Sequence, residues 1–116
     1  MSLSLNCLVV GDNHDRTFTV KISKVENVSI LKKLIKEEKA HRFNHVDASD
    51  LDLWRVSFPI DDLEKELGSI NLAGYLKLSP PSKKLTTFFT DVEDDCLHVI
   101  AKVPGMSRQS PLWNHF

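Results

Sequence analysis

The sequence predicts an α+β fold, in which a mixed sheet of about four or five strands packs against one main helix, with a short second helical region. Two strand-like segments stand at the N-terminus, an amphipathic helical segment follows, and further strand-like segments come after it. The chain has 116 residues. That length suits one domain, because single domains cluster around roughly 100–150 residues.

The N-terminal segment is predicted to form a β-hairpin. Residues 3–10 alternate between two faces, and the first face carries Leu3, Leu5, Cys7 and Val9. Turn-forming residues occupy positions 11–15. Residues 17–22 then alternate again, which places Phe18, Val20 and Ile22 on one face of a second strand.

The main helix is predicted to begin after residue 27, with Asn27 or Ser29 as its N-cap. The residues that recur at helical spacing are Val28, Leu31, Leu34, Ile35 and the polar Glu38. The remaining positions are charged and are interpreted as the solvated face: Lys32, Lys33, Lys36, Glu37 and Lys39. This pattern indicates about three turns that pack on the hairpin through one apolar stripe.

The middle of the chain is predicted to return to a strand after a loop over residues 40–50, in which Phe43 and Val46 point inward. The strand holds Leu51, Asp52, Leu53, Trp54, Arg55 and Val56. By alternation Leu51 and Leu53 share one face, and Trp54 and Val56 share the other.

Two short helical turns are predicted next. The first starts near Pro59, buries Ile60, Leu63 and Leu67, and ends at Gly68. The second, capped by Ser82, is anchored by Leu85, Phe88 and Phe89.

The last strand is predicted over residues 96–103. The assignment of its two faces predicts whether Cys7 and Cys96 can form a disulfide. The face assigned to the main helix carries Leu97, Val99, Ala101 and Val103. Cys96 then lies on the opposite side of the sheet from Cys7. Because thiols on opposite sides of a sheet cannot bond without disrupting the register, we predict two free thiols.

Composition argues against several functional classes. The chain has 15 Lys and Arg against 16 Asp and Glu, so nonspecific binding to nucleic acid is not expected. No apolar run approaches the roughly 18–20 residues of a membrane span, and no signal peptide is recognisable.

Catalytic, cofactor and metal sites are likewise not expected from the sequence. His41 and His45 are four residues apart, but they fall in a predicted loop and nothing completes a ligand set. No motif for a nucleophile or a phosphate-binding loop is present, and the acidic pairs at 61–62 and 94–95 are interpreted as solvated surface. We therefore predict a protein that is not an enzyme and binds no cofactor or metal.

The order of elements matches the β-grasp arrangement of ubiquitin, and particular residues indicate a closer relationship. The chain resembles the N-terminal domain of the Crinkler effectors of oomycetes and fungi over about residues 3–103. The pieces that carry the resemblance are 5–11, 18–22, 28–39, 50–56, 78–80, 85–89 and 98–100. The strand segment 51–56 sits where oomycete members carry the translocation motif Leu-Phe-Leu-Ala-Lys. Here it reads Leu-Asp-Leu-Trp-Arg-Val, which is similar to the form of fungal members.

The resemblance implies a domain organisation and a role. Residues 1–105 would form a ubiquitin-like targeting domain and residues 106–116 a flexible tail, in which Trp113 and Phe116 are the aromatic residues. Such a domain is expected to belong to a secreted effector and to direct translocation or targeting into host cells, with the host nucleus as a destination. A protein partner, from the host or a second copy of the chain, is expected. The alternative is a self-contained homodimerising or partner-binding ubiquitin-like module that acts in the host nucleus.

The outer sheet face is the candidate interaction surface, since ubiquitin binds partners through the corresponding face. Its residues would be Leu8, Val10, Trp54, Val56, His98 and Ile100. An exposed apolar patch with a Trp is typical of an interaction site. The alternative is that the second helical region or the tail covers this face within the chain. Conjugation like that of ubiquitin is not expected, because Pro104-Gly105 supplies a single glycine.

Overall fold

The computed structural model describes residues 2–40, 43, 46–68, 70–90 and 92–103. Its centre is a five-stranded mixed sheet in the order β2-β1-β5-β3-β4. The strands are β1 (Ser2–Val9), β2 (Phe18–Ser23), β3 (Asp52–Pro59), β4 (Leu76–Lys77) and β5 (Cys96–Lys102). Two α-helices, α1 (Val28–Glu38) and α2 (Leu63–Leu67), complete the fold. The predicted α+β class and β-grasp order are confirmed.

The central strand of the sheet is β5. It runs parallel to β1 on one side and antiparallel to β3 on the other. The hairpin partner β2 lies outside β1, and the two-residue β4 lies outside β3. The C-terminal strand therefore joins the N-terminal hairpin to the middle of the chain.

The first face of the sheet packs against α1, as the hairpin and helix patterns predicted. The fully buried members of this inner core come from three strands, the helix and the loops: Leu5, Cys7, Val9, Val28, Leu31, Ile35, Phe43, Leu51, Leu53, Leu85, Val99 and Ala101. Phe43 is completely buried and Val46 packs partly against this core, which confirms that both point inward.

The start of α1 is fixed by Asn27, one of the two predicted caps. Its side-chain oxygen accepts a hydrogen bond from the Ile30 N–H at 3.1 Å. The buried stripe differs from the predicted one, because Lys32 is only 7% exposed whereas Glu38 is exposed. Lys32 lies four residues after Val28 and three before Ile35, so it falls inside the stripe. The prediction that Lys32 belongs to the solvated face is wrong.

The second face of the sheet is covered by α2 and the segment that follows it. The outer core consists of Leu8, Val10, Val56, Phe58, Leu63, Leu67, Leu72, Leu97 and Ile100. Leu63 and Leu67 fill their predicted positions, but Ile60 is 37% exposed. Pro59 still belongs to β3, and a 3₁₀ turn over Ile60–Asp62 precedes the helix, so Ile60 stays off its buried side.

The prediction for Leu97 is also wrong, since it packs in the outer core and not against α1. The pairing of β3 with β5 contains an irregularity: Arg55 pairs with Val99, but Phe58 pairs with Leu97. Such a β-bulge places an extra residue on one strand and breaks the alternation of faces. Alternation therefore does not establish the side of the sheet on which Cys96 lies, although Cys7 and Cys96 are both free, as predicted.

The segment after β4 crosses beneath the start of α1. Its 3₁₀ turn over Leu85–Thr87 has Lys84 at the N-cap, so the prediction of Ser82 as the cap is wrong. Backbone bonds supply the anchoring instead, because the Leu85 N–H donates to the Glu26 carbonyl at 2.9 Å and the Val28 N–H donates to the Lys83 carbonyl at 3.0 Å.

The cap of α1 gives a stability test. Asn27→Ala removes the acceptor for the Ile30 N–H and is expected to lower the free energy of unfolding by about 1 kcal/mol. Ser29→Ala is the matched control and is expected to stay within about 0.5 kcal/mol of the parent. Urea unfolding measures both, and equal losses in the two variants would contradict this assignment of the cap.

Candidate functional site

The candidate site is the strand segment 51–56, and half of its side chains are structural. Leu51 and Leu53 are completely buried in the inner core, and Val56 is 2% exposed in the outer core. The predicted pairing of faces, with Leu51 and Leu53 on one side and Trp54 and Val56 on the other, is confirmed. The segment is therefore built into the sheet between β5 and β4.

Trp54 is the aromatic side chain of the segment that remains partly accessible. It is half-buried at the margin of the outer core. Two lysines flank its ring, with the Lys77 and Lys102 ammonium groups 5.7 and 5.9 Å from the ring centroid. Asp52 forms an ion pair with Lys77 at 3.3 Å. This corner of the sheet combines a partly accessible Trp, a residue type enriched at protein interfaces, with charged side chains of the kind found at their polar rim.

Arg55 fastens the segment to residues 85–89, a role that the sequence did not reveal. Its Nε donates to the Phe88 carbonyl at 3.1 Å, and its Nη1 donates to the Val56 carbonyl. The guanidinium also stands 5.0 Å from the centroid of the Phe89 ring. Burial lowers the pKa of Arg55 from its usual value. The sequence does show two aromatic residues in the segment 85–89 that an arginine could contact. It does not show that this segment lies next to β3, because that proximity arises only in the tertiary structure.

The candidate interaction face is covered by the chain itself at five of its six positions. Exposure is at most 2% at these five: Leu8, Val10, Val56, His98 and Ile100. The apolar members lie beneath Leu63, Leu67 and Leu72, which come from α2 and the segment after it. The alternative in which the second helical region covers this face therefore holds. The predicted open patch is not present at these positions, and Trp54 is the member that remains accessible.

His98 serves the sheet and not a free surface. Its Nδ1 accepts a hydrogen bond from the Asn6 backbone N–H at 2.9 Å, and its Nε2 lies 2.5 Å from the Glu93 carbonyl. These partners require a neutral ring with its proton on Nε2. The Asn6 side chain reinforces the junction by donating to the Cys96 carbonyl at 2.7 Å.

Burial lowers the pKa of His98, and this effect outweighs the carbonyl of Glu93, which raises it. The positive charge of Arg55 also lowers it, whereas the carboxylates of Asp94 and Glu93 raise it. Protonation of Nδ1 would remove the acceptor of the Asn6 N–H. We therefore expect acid to weaken the β1–β5 junction at His98.

The described residues present no activated thiol and no metal cluster. Burial raises the pKa of the Cys7 thiol, and burial followed by the Glu93 hydrogen bond raises that of Cys96. Among the described residues no group of three or more His, Cys, Asp or Glu side chains is placed to hold a metal ion. The candidate ligands His41 and His45, and the aromatic residues Trp113 and Phe116 of the tail, lie outside the described residues. No helix in the described part of the chain is long and apolar enough to span a membrane.

The arrangement of one main helix across a mixed sheet defines a ubiquitin-like domain, and a solved structure shares it. The C-terminal ubiquitin-like domain of mouse tubulin-specific chaperone e superposes with a TM-score of 0.56 at 17% identity, over 90% of this chain and 88% of that domain. At that identity the likeness shows the fold alone.

The sequence itself identifies the family. The family described as "Crinkler effector protein N-terminal domain" matches residues 3–102. The chain is also 37% identical over 111 residues to Crinkler effector protein 1 of the fungus Rhizophagus irregularis. The aligned region covers 95% of this chain but only 23% of that relative. The chain belongs to the Crinkler N-terminal domain family, as the sequence motifs predicted.

The buried imidazole predicts a specific acid sensitivity. In the unfolded chain His98 titrates near its ordinary value of about 6.5, and in the folded chain it titrates lower. Between these two pKa values the unfolded state therefore binds more protons than the folded state. His98 thus contributes stability that is fully present above about pH 6.5 and is lost as the pH falls through its folded pKa. The loss is at most about 1.4 kcal/mol per pH unit.

His98→Gln is expected to flatten the pH dependence of urea unfolding between pH 7 and pH 5.5, at some cost in stability. His14→Gln, outside the cores, is the control and is expected to keep the parent slope. An unchanged slope in His98→Gln would show that other groups cause the dependence.

Proposed function

We propose that this chain is a non-catalytic targeting domain of a secreted effector, which directs translocation or targeting into host cells and binds a protein partner. Membership of the Crinkler family supports the effector context. The ubiquitin-like fold and the family are non-catalytic domain types. We place this targeting domain at residues 1–105 and its destination in the host nucleus.

The observation that carries the proposal is that the segment 51–56 consists of Leu51 and the first five residues of β3. Its leucines and Val56 are buried, so a linear peptide signal would require the strand to leave the sheet. Leaving the sheet would expose several buried apolar side chains, each worth about 1.5–3 kcal/mol. The segment is therefore proposed to act as part of the folded domain, through Trp54 and the charges beside it.

A second candidate is a homodimerising or partner-binding module that acts in the host nucleus. The observation that favours it is the outer edge of β2, which has no neighbouring strand among the described residues. An unpaired edge is a template for adding a strand from another chain. The mass in solution separates the candidates, since a concentration-dependent dimer supports the second one.

The proposed role of Trp54 gives a functional test. The chain is fused to a fluorescent protein, and its distribution is measured in host cells and after application outside them. Trp54→Ala is expected to lower uptake or nuclear accumulation at least severalfold, because it removes the accessible ring of the segment while leaving its buried leucines in place. Lys33→Ala, at an exposed position on α1, is the control and is expected to behave as the parent.

Thermal unfolding of both variants accompanies this experiment, so that a loss of folding is not mistaken for a loss of targeting. A folded Trp54→Ala variant with the parental distribution would contradict the proposal.

A further inference from the structure

Part of the backbone of the edge strand β2 faces away from the sheet. Its direction follows from β1, in which the Asn6 N–H donates to the His98 ring of β5 at 2.9 Å. Asn6 therefore directs its backbone groups toward β5 and exchanges no hydrogen bonds with Thr19, its partner in β2. Because backbone groups alternate in direction along a strand, the N–H and C=O of Thr19 and of Lys21 point outward.

These outward groups are available to a further strand. Among the described residues no strand lies outside β2, and no other segment bonds to the backbone of Thr19 or Lys21. The pairing of β1 with β2 runs through six successive pairs without a shift in register, so no bulge bends this edge. The strand also contains no proline. A regular, unpaired edge of this kind is a template for an extended segment of another chain.

The two faces of this edge differ in character. Val20 and Ile22 are buried in the inner core, and Phe18 packs partly against it. The opposite face carries Thr19 and Lys21, which are both exposed. Because cross-strand neighbours lie on the same face, an added strand would place one set of side chains beside Phe18 and the other beside Lys21. Apolar residues suit the first set and charged residues suit the second.

The charge along the edge selects an acidic segment. Residues 16–25 contain three basic side chains, Arg16, Lys21 and Lys24, and no acidic one. None of the three forms an ion pair with a carboxylate in the described part of the chain. A second copy of β2 suits this edge less well, because a pairing centred on Lys21 would place two lysines opposite each other. A carboxylate opposite Lys21 would instead form a favourable cross-strand pair.

We propose that the outer edge of β2 binds an extended acidic segment of a partner protein, which adds to the sheet as a further strand. Thr19 and Lys21 would supply the backbone hydrogen bonds, and the Lys21 ammonium would face a carboxylate of the segment. This binding mode deepens the partner-binding role of the second candidate function and rests on it. The backbone bonds would supply most of the affinity, while the complementary charges would determine specificity and association rate.

Labelled peptides and fluorescence polarisation test this binding mode on the full chain. The acidic peptide alternates Glu and Val over eight residues, and the basic peptide replaces each Glu by Lys. Two further forms of the acidic peptide carry N-methyl groups, one on its Glu amides and the other on its Val amides. The acidic peptide is expected to bind at least tenfold more tightly than the basic one.

The two methylated forms are expected to differ at least tenfold in affinity, because only one edge of an added strand faces β2. Equal binding of these two forms would overturn strand addition. Tighter binding of the basic peptide would overturn the charge assignment.

Charge-reversal variants locate the electrostatic contact. Lys21→Glu is expected to weaken the acidic peptide about fivefold, because a like charge replaces an exposed ion pair. Lys33→Glu, an exposed position on α1 with the same change of charge, is the matched control and is expected to change affinity less than twofold. Equal weakening by the two variants would show nonspecific attraction and would overturn the proposal.

Lys21→Pro tests the backbone contact separately from the charge. The Lys21 N–H points away from β1, so a proline there leaves the hairpin bonds in place, as prolines on edge strands do. Lys21→Gln removes the same charge but keeps the N–H. Lys21→Pro is expected to bind the acidic peptide at least tenfold more weakly than Lys21→Gln. Thermal unfolding accompanies both, and equal affinity in the two folded variants would overturn strand addition.

Amide shifts on titration with the acidic peptide complete the assignment. They are expected at Thr19 and Lys21, whereas shifts confined to β3 would overturn the site. The same shifts on raising the protein concentration alone would show a second copy at this edge and would overturn the choice of partner.

Trp54→Ala separates this binding from the targeting role. Trp54 lies on β3, and two strands separate β3 from β2. The variant is therefore expected to bind the acidic peptide as the parent does, and its distribution in host cells tests targeting independently. Loss of peptide binding in the folded variant would overturn the site at β2.

Discussion

The insertion of β5 between β1 and β3 is the constraint on which the rest of the structure depends. Every residue of β5 from Cys96 to Ala101 is buried, because the inner core packs on one face of the sheet and the outer core on the other. Its parallel pairing with β1 joins residues that are more than 90 positions apart in the sequence. The N-terminal hairpin and the strand β3 become one sheet only when this C-terminal strand is in place. His98 reinforces the same junction from within β5, because its ring accepts the hydrogen bond of the Asn6 N–H.

Because both faces of the sheet are covered, most side chains of the segment 51–56 are not accessible to a partner. In a sheet with one open face, the outward side chains of β3 would be available to a partner. Here α2 covers Val56, and the inner core holds Leu51 and Leu53. Most of the segment's apolar side chains therefore maintain the fold. What this segment presents to its surroundings is the half-buried Trp54 with its flanking lysines.

Local patterns in the sequence predicted much of the fold. Strict alternation located both faces of the hairpin, the apolar spacing and Asn27 located α1, and the leucines of 51–53 located the inner side of β3. The failures have physical reasons. Leu97 lies across from a bulge in β3, which no pattern within β5 itself reveals. Ile60 belongs to a 3₁₀ turn, so the spacing of an α-helix placed it on the wrong side.

The candidate site was harder to predict, because it depends on contacts between distant segments. Leu8, Val10, Val56 and Ile100 were correctly assigned to one side of the sheet, but alternation alone does not tell whether another segment covers them. The cover comes from Leu63, Leu67 and Leu72. Arg55 likewise acquires its role only through the carbonyl of Phe88 and the ring of Phe89.

The central claim is that the segment 51–56 acts as part of a folded strand and not as a linear signal. Native-state hydrogen exchange of its amides tests this most directly. We expect the amides of β3 that bond to β5 to exchange only through global unfolding, with the same free energy as the buried amides of β5. Exchange of the whole segment at the rate of an unstructured peptide, while β1 and β5 stay protected, would contradict it.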